Sequence, residues 1–400
     1  MQHAVIAATV RTPIGNLNGA LSSMSATELG SCAIRESMHR AAIAPEDVDE
    51  VIMGNVLSAG LGQAPARQAA KGAHLPDHVN ATTVNQVCGS GLKAVIMAAD
   101  SICAGSAEIV VAGGMESMSG APYLLHKARA EYQVGHGELV DSMIKDGLWD
   151  AYGNKHMGSC AELCASKYLF DRDQQDDFAV QSYTKALTAQ QQGSFQDEII
   201  PVDVKTQEGS VRVHEDERPK RFNEAKLRRL MPAFQPDGTI TAGNATGMND
   251  GAAAMLVLAE TRAQALGIHP VARILGFTQK SMAPDWFTIA PIVAIQALLK
   301  KLRMQAHEFD LYEINEAFAA VPLAAMRDLE LCPDHVNVHG GAIALGHPLG
   351  ASGARVLTTL IHALKRIGGK RGIASLCIGG GGGIALAVEM YDHLDTRNAE

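Results

Sequence analysis

The sequence predicts an α/β protein made of two copies of one strand–helix unit, with a polar segment inserted into the first copy. Apolar strand-like runs alternate with helix-period patterns in both parts of the 400-residue chain, and the alternation stops between about residues 119 and 242. Strands that alternate with helices imply a parallel or mixed sheet covered on both faces. Landmarks also recur. Asp49 to Asn55 resembles Asp310 to Asn315, with separations of 6 and 5 residues, and Asn55 to Ser90 spans 35 residues where Asn315 to Ser352 spans 37. Both serines open small-residue helix starts, Gly89-Ser90-Gly91-Leu92-Lys93 and Ala351-Ser352-Gly353-Ala354-Arg355, and each helix leads to an apolar strand ending in glycines. The expected boundaries are 1–267 for the first half, with the insertion at about 119–242 inside it, 268–392 for the second half and 393–400 for a polar tail.

Taken in order, Ala4 to Val10 reads as a strand, and Thr27, Leu29, Ala33, Ile34, Ser37, Met38 and Ala41 recur at helical spacing. A Pro45-Glu46-Asp47 turn leads into a strand from Glu50 to Met53. Thr82 to Val87 is strand-like, and Leu92 to Cys103 is helix-like, with Leu92, Val95, Ile96, Ala99 and Cys103 on one face. Ile109 to Ala112 reads as a buried strand stopped by Gly113-Gly114. In the insertion the clearest element is a helix from about Asp173 to Gln192, where Asp171 and Gln174 form a capping pair and Gly193 supplies the stop. The first pattern then returns: a strand from Val271 to Phe277, a helix carrying Ile292, Ile295, Leu298, Leu299 and Leu302, and a strand ending at Asn315. Val336-Asn337-Val338 reads as a strand, as does the alternating run Ile384 to Met390.

Composition excludes several classes. With 47% hydrophobic residues the chain has ample material for one large shared core, and its net charge of −9 argues against nucleic acid or an anionic membrane surface as the main partner. No apolar run is expected to span a bilayer, and the apolar start, Ala4 to Val10, lacks the basic flank of a secretory signal. The seven cysteines are odd in number and spread without a C-x-x-C, which fits free thiols in a reducing cytoplasm better than a disulfide framework or a zinc site. His335 and His339 are four apart but have no further ligand cluster near them, so no metal is expected.

The chemistry gathers at four stretches. Cys88, in Asn85-Gln86-Val87-Cys88-Gly89-Ser90-Gly91-Leu92, stands at or just before a helix N-terminus, where backbone N–H groups and the helix dipole favour a thiolate. A lone cysteine in an apolar sequence is most often a small buried hydrophobe, so the sulfur needs company to count as a nucleophile. Gly89 to Ala94 also fits G-x-G-x-x-A, but the acidic residue a dinucleotide would require is badly placed, since Glu116 lies 27 residues after Gly89. Asn315 follows a strand and would present its amide at the sheet's C-terminal edge, where open α/β sheets bind ligands, although asparagine there is often only a helix cap. His347 sits in the glycine-rich loop of HGGAIALGHPLGASG, residues 339 to 353. Cys377-Ile378 precedes five glycines, 379 to 383, and a glycine turn between strands can aim several N–H groups at one point. Six bases, Arg218, Lys220, Arg221, Lys226, Arg228 and Arg229, accompany only Glu217 and Glu224; they form either a solvated face or a dock for a polyanion such as a nucleotide diphosphate tail.

With these residues in view, the chain resembles the thiolases from end to end, and particularly the bacterial short-chain acetyl-CoA acetyltransferases. The matching stretches are NQVCGSGL at 85–92, GNATGMNDGAA at 243–253, NEAFA at 315–319, HGGAIALGHPLGASG at 339–353 and CIGGGGG at 377–383. The resemblance implies a thiolase fold: two duplicated α/β halves in a layered αβαβα core, with an inserted loop subdomain that carries much of the coenzyme A site and the contacts of a homotetramer or homodimer. It implies Cys88 as the acylated nucleophile, Cys377 as the acid/base, His347 as the group that activates Cys88 and binds an oxyanion, and Asn315 as the holder of a water at that oxyanion site. Two oxyanion holes are required: the N–H groups of Cys88 and Gly379 would suit the tetrahedral acyl intermediate, and His347 with the Asn315 water would suit the enolate. His156, Met157, Arg221, Thr246 and Phe318 would bind substrate and coenzyme A, with Met157 narrowing the acyl pocket. The family often has Gln or Met where Gly382 stands and Ser where Thr246 stands, and neither change removes a reacting atom. The implied reaction joins two acetyl-CoA into acetoacetyl-CoA and CoA, or the reverse, without metal or redox cofactor. The neighbouring alternative is a degradative 3-ketoacyl-CoA thiolase acting on longer chains, and a different class is a non-catalytic lipid-binding scaffold, which would lack one of the four reacting residues.

Overall fold

The fold is known from a computed structural model that describes residues 2–130, 132–207 and 209–391. The expected tail, 393–400, lies outside the described residues, as does residue 392 at the end of the second half. In the first half the strands are β1 (Ala4–Arg11), β2 (Glu50–Gly54), β3 (Asn80–Val84), β4 (Ile109–Ser117) and β5 (Asn249–Ala259), with helices α1 (Ala26–Ala41), α2 (Pro65–Gly72) and α3 (Ser90–Ala104). The insertion holds α4 (Met157–Tyr168), α5 (Arg172–Gln191) and three two-stranded ribbons. The second half has β6 (Ala272–Ser281), α6 (Ala290–Leu302), β7 (Leu311–Ile314), α7 (Ala320–Asp328), α8 (Leu349–Ile367), β8 (Arg371–Ile378) and β9 (Gly382–Met390).

The duplication read from spacing is present in the hydrogen bonding. The sheet runs β7-β8-β9-β6-β1-β5-β4-β2-β3, so each half repeats one order and the halves join antiparallel where Val5 faces Arg273 and Ile6 faces Ala272. The parallel pair β2·β4 has its counterpart in β7·β8, and the pair β2·β3 in the single parallel bridge Tyr312–Val336. Asp49 Oδ2 accepts the N–H groups of Glu108 and Ile109, while Asp310 Oδ2 accepts those of Lys370 and Arg371. One offset of 262 residues relates Ile109 to Arg371 and Ser90 to Ser352.

Side-chain alternation turns this sheet into layers. In β4, Val110 and Ala112 face a central cluster holding Leu92, Val95 and Ile102 of α3 and Leu357, Leu360 and Leu364 of α8, while Ile109 and Val111 face α1 and α2. In β8, Ala374 and Leu376 face the same centre, and Ile373 packs toward α4, α6 and α7. The order across the core is therefore αβαβα, with α3 and α8 buried between the two half-sheets. This is why Val87–Ala104, 18 residues of mean hydropathy 1.4, has membrane-like length and composition, contrary to the sequence expectation; 61% of it is buried inside the fold.

Four further sequence expectations need correction. The strand expected over Thr82–Val87 ends at Val84, and Val87 takes φ 46°, because the chain turns there to present Cys88. Cys103 is exposed and does not share the buried face of α3. Val336 to Val338 forms only one bridge, and Asn337 at φ 47° turns the chain. Most informative is β4, which runs through Gly113-Gly114 to Ser117. These glycines do not stop the strand; they admit backbone. A Cβ on Gly114 would lie 1.9 Å from Gly350 O, and one on Gly113 would lie 2.1 Å from Ala253 O. Gly114→Ala is therefore expected to destabilise the fold by about 3 kcal/mol, read by urea unfolding, because the backbone at the start of α8 cannot give way. The capped helix of the insertion agrees with the sequence: Asp171 and Gln174 make a capping box and Gly193 has φ 69°.

Candidate active site

A cavity of about 300 Å³ lies at the C-terminal ends of the central strands, and Cys88, His347, Gly379, His156, Met157, Thr246 and Phe318 all line it. Cys88 precedes Gly89, the N-cap residue of α3, and its Sγ is reached by two N–H groups, its own and that of Gly379. Gly379 begins the three-residue turn between β8 and β9, in which Gly380 and Gly381 have φ 86° and 90°. Such angles suit glycine, and the turn can thereby aim Gly379 N–H at the sulfur. These are the two donors expected for an oxyanion hole.

Electrostatics correct one expectation. The helix start does not produce a resting thiolate: loss of solvent around Sγ pushes the Cys88 pKa up to about 11, against the pull of the two N–H groups. Cys377, the penultimate residue of β8, is fully buried and is raised well above its ordinary value, first by burial and then by the neighbouring charge of Cys88. The two sulfurs therefore sense one another. His347 is 3% exposed, and burial, helped by the cationic Arg355, lowers its pKa to about 3, so its ring is neutral across the physiological range.

The ring's tautomer follows from its partners. Ser352 Oγ donates to Pro348 O at 2.8 Å and lies 2.5 Å from His347 Nδ1. With the hydroxyl hydrogen so assigned, Nδ1–H donates to Ser352 Oγ and Nε2 is left bare. Nε2 is buried and has no partner among the described residues. The His347 backbone N–H donates to Asn249 Oδ1 at 3.0 Å, which fixes the loop that begins α8. Asn315 follows β7, is 1% exposed and keeps both Oδ1 and Nδ2 free of protein partners among the described residues. It does not line the cavity wall itself.

The other expected contacts separate into wall and rim. Met157 opens α4 and approaches Gly379, where a Cβ would lie 3.6 Å from its Cε. Phe318 meets Phe234 and Phe287 edge-on, with centroids 6.1 and 6.3 Å apart. His156 stacks on Phe234 at 4.7 Å, and its Nδ1 accepts Gly158 N–H, so it caps α4 as well as lining the cavity. Thr246 Oγ1 donates to Ala342 O at 2.8 Å. Ala242, Thr246, Gly247 and Met248 also line a second cavity of about 420 Å³ whose walls include Arg218, Arg221 and Lys226. The site is thus one groove, apolar beside the sulfur and basic at the far end. Arg221 pairs with Glu217 there, and Arg228 pairs with Asp177 and Glu224, so much of the basic patch is already matched.

Sequence reasoning missed Leu148, Phe234 and Phe287 in the cavity wall and Ser352 as the partner of His347. The aromatic residues carried no periodic signal. Ser352 had already emerged as a repeat landmark, and its place five residues after His347 was the available clue. The described residues include one trio with metal-binding atoms close together, Asp150, Cys160 and Asp285, but Lys155 Nζ lies 2.6 Å from Asp285 Oδ1 and supplies the local cation.

A cysteine on two N–H donors, a neutral buried imidazole and a second buried thiol form a site for thiol-mediated acyl transfer. Residues 4–261 match the family described as thiolase, N-terminal domain, and residues 268–390 match thiolase, C-terminal domain; the chain belongs to the thiolase family. It is 51% identical over 388 residues, 96% of each chain, to acetyl-CoA acetyltransferase 2 of Arabidopsis thaliana. Among solved structures it is similar to the acetyl-CoA acetyltransferase of Bacillus anthracis (TM-score 0.96, 41% identity, 98% of this chain and 99% of that one). It is also similar to an Ascaris suum thiolase in complex with coenzyme A (TM-score 0.92, 41% identity, 97% and 100%).

Proposed function

We propose that this protein is an acetyl-CoA acetyltransferase, which interconverts two acetyl-CoA with acetoacetyl-CoA and CoA through an acetyl-Cys88 intermediate. The observation that carries the reading is the convergence of two N–H groups, Gly379 and Cys88, on a sulfur that shares its cavity with the bare Nε2 of His347. In the condensing direction His347 Nε2 takes the thiol proton of Cys88 as the sulfur attacks acetyl-CoA. The tetrahedral oxyanion sits on the two N–H groups, and CoA leaves with the proton of Cys377. The Cys377 thiolate then removes a proton from the methyl group of a second acetyl-CoA. The enolate is held by protonated His347 and by a water on Asn315. It attacks the acetyl group, Cys88 leaves as thiolate and recovers its proton from His347. Atoms and protons balance, and a thioester is already activated, so the reaction calls for no metal or redox cofactor.

The groove supports coenzyme A as the carrier, with pantetheine along Thr246 and Phe318 and the charged nucleotide end near Arg221. Met157 supports short chains, because it lines the cavity beside Cys88 and the Gly379 turn. Met157→Ala is expected to raise the kcat/KM ratio of 3-ketohexanoyl-CoA to acetoacetyl-CoA about 10- to 100-fold, the scale of a methylene-sized pocket change. A wild-type enzyme already more active on longer chains would favour the degradative reading.

Cys88, with a pKa near 11, is expected to react slowly with iodoacetamide at pH 7 and tenfold faster per pH unit up to about pH 10. A rate that levels off near pH 7 would indicate a resting thiolate–imidazolium pair instead. The seven free thiols support a reducing, cytoplasmic location. Exposed apolar residues of the insertion, Tyr123, Leu125, Val134 and Leu139, support assembly into a homotetramer or homodimer, which sedimentation would measure.

A further inference from the structure

We propose that Glu116 is a positioning residue, whose carboxylate ties the N-terminus of α8, and with it the loop carrying His347, to the loop that follows β2. The inference rests on the acyl-transfer reading of the same site. Glu116, near the end of β4, is 0% exposed and does not line the cavity, and none of its carboxylate's hydrogen-bond partners is one of the reacting residues. Its Oε1 accepts Asn55 Nδ2–H at 2.9 Å and Leu57 N–H at 3.1 Å. Its Oε2 accepts Val56 N–H at 3.1 Å and Gly350 N–H at 2.9 Å. All four partners are donors, which is the pattern an ionised carboxylate satisfies and a neutral carboxyl or amide does not.

The duplication explains why a carboxylate is there. By the offset of 262 residues, Gly350 occupies in the second half the place of Cys88 in the first. Where the first half sets a nucleophile before its helix, the second sets a glycine, and the first half supplies Glu116 to its N–H. The crossing leaves little slack: a Cβ on Gly54, Gly91 or Gly114 would lie 2.6, 2.9 or 1.9 Å from Gly350 O. His347 is three residues before Gly350, and Leu57 and Leu349 pack in one apolar cluster against Cys88. Glu116 thus joins both sides of the sulfur's surroundings.

Burial raises the Glu116 pKa to about 7, with Asp250 of β5 as the acidic neighbour that adds to the shift and Cys88 as the titratable group that feels its charge. Below that pH one oxygen becomes a donor facing donors, and the tie weakens. The experiment compares wild type with Glu116→Gln and Glu116→Asp. Glu116→Gln is expected to lower kcat about 10- to 100-fold, with KM for acetoacetyl-CoA within about threefold, since small displacements of an oriented group cost rate more than binding. Amide exchange of the peptides holding Leu57 and Gly350 should accelerate, the acidic limb of the kcat profile near pH 7 should disappear, and Glu116→Asp should recover part of the loss.

A Glu116→Gln enzyme with kcat within twofold of wild type, or unchanged exchange at Gly350, would overturn the inference. So would a loss that tracks the unfolded fraction in both variants. If Glu116→Gln does not fold, Glu116→Asp alone decides by its exchange and its kcat against KM. A wild type that forms no acetyl-Cys88 would instead refute the acyl-transfer reading, while the exchange data would still judge the tie.

Discussion

Cys88→Ala is expected to lose turnover of acetoacetyl-CoA by roughly 10⁴- to 10⁶-fold, the scale seen when the covalent nucleophile of an acyl-transfer site is removed. The size follows from what else the site offers. His347 keeps a bare Nε2 and the N–H of Gly379 remains in place, but the thiolate that accepts the acetyl group of the first thioester and releases it to the second is gone. Intact-protein mass spectrometry after brief incubation with acetoacetyl-CoA gives the direct measurement. Wild type should gain one acetyl group that maps to Cys88 and disappears on addition of CoA, and the variant should gain none. An adduct of equal yield in Cys88→Ala would place the nucleophile elsewhere, and no adduct in wild type would favour a binding scaffold. Because burial keeps Cys88 as a neutral thiol at rest, the variant is expected to fold with nearly wild-type stability: only a small apolar group is lost.

The duplication was legible in the sequence because it is written in short-range punctuation. Asp49 and Asp310 stand just before strands and accept matching N–H groups, while Ser90 opens α3 and Ser352 lies in the first turn of α8, each bonding back to a carbonyl three or four residues earlier. The residues proposed to react stand out in the sequence because their stretches are long and specific. What escaped was set by long-range contact. Gly113 and Gly114 read as strand breakers because local propensity is all a window contains, whereas their task is to admit carbonyl groups from β5 and α8. The N–H groups at the start of α3 do favour the Cys88 thiolate, as the local sequence implies, but the burial that outweighs them comes from distant segments. In the sequence Glu116 reads only as an acidic residue badly placed for a dinucleotide, and nothing near it announces Gly350.

Cys377→Ala is expected to separate the two half-reactions. Acetyl transfer from acetyl-CoA to Cys88 needs Cys377 only to protonate departing CoA, a thiol that can also leave as the anion. Proton removal from the weakly acidic methyl group of a thioester needs a base as well as donors for the enolate, and burial strengthens that base by holding the Cys377 pKa well above its ordinary value. The sign is decisive here: a raised pKa leaves Cys377 a proton donor in the resting enzyme and makes its thiolate a strong base once CoA has taken that proton. The variant should therefore lose condensation and cleavage by about 10³- to 10⁴-fold, near the upper range of general acid–base effects, while transfer of acetyl to Cys88 falls about tenfold. Hydrogen exchange of the acetyl-CoA methyl group in deuterated water measures the first step of the second half-reaction. It should be catalysed by wild type and lost in Cys377→Ala. His347→Ala should impair both halves together, because the same Nε2 takes the proton of Cys88 and then faces the enolate. If Cys377→Ala kept methyl exchange and lost acetyl transfer, the base would be His347 and the two roles would have to be reversed.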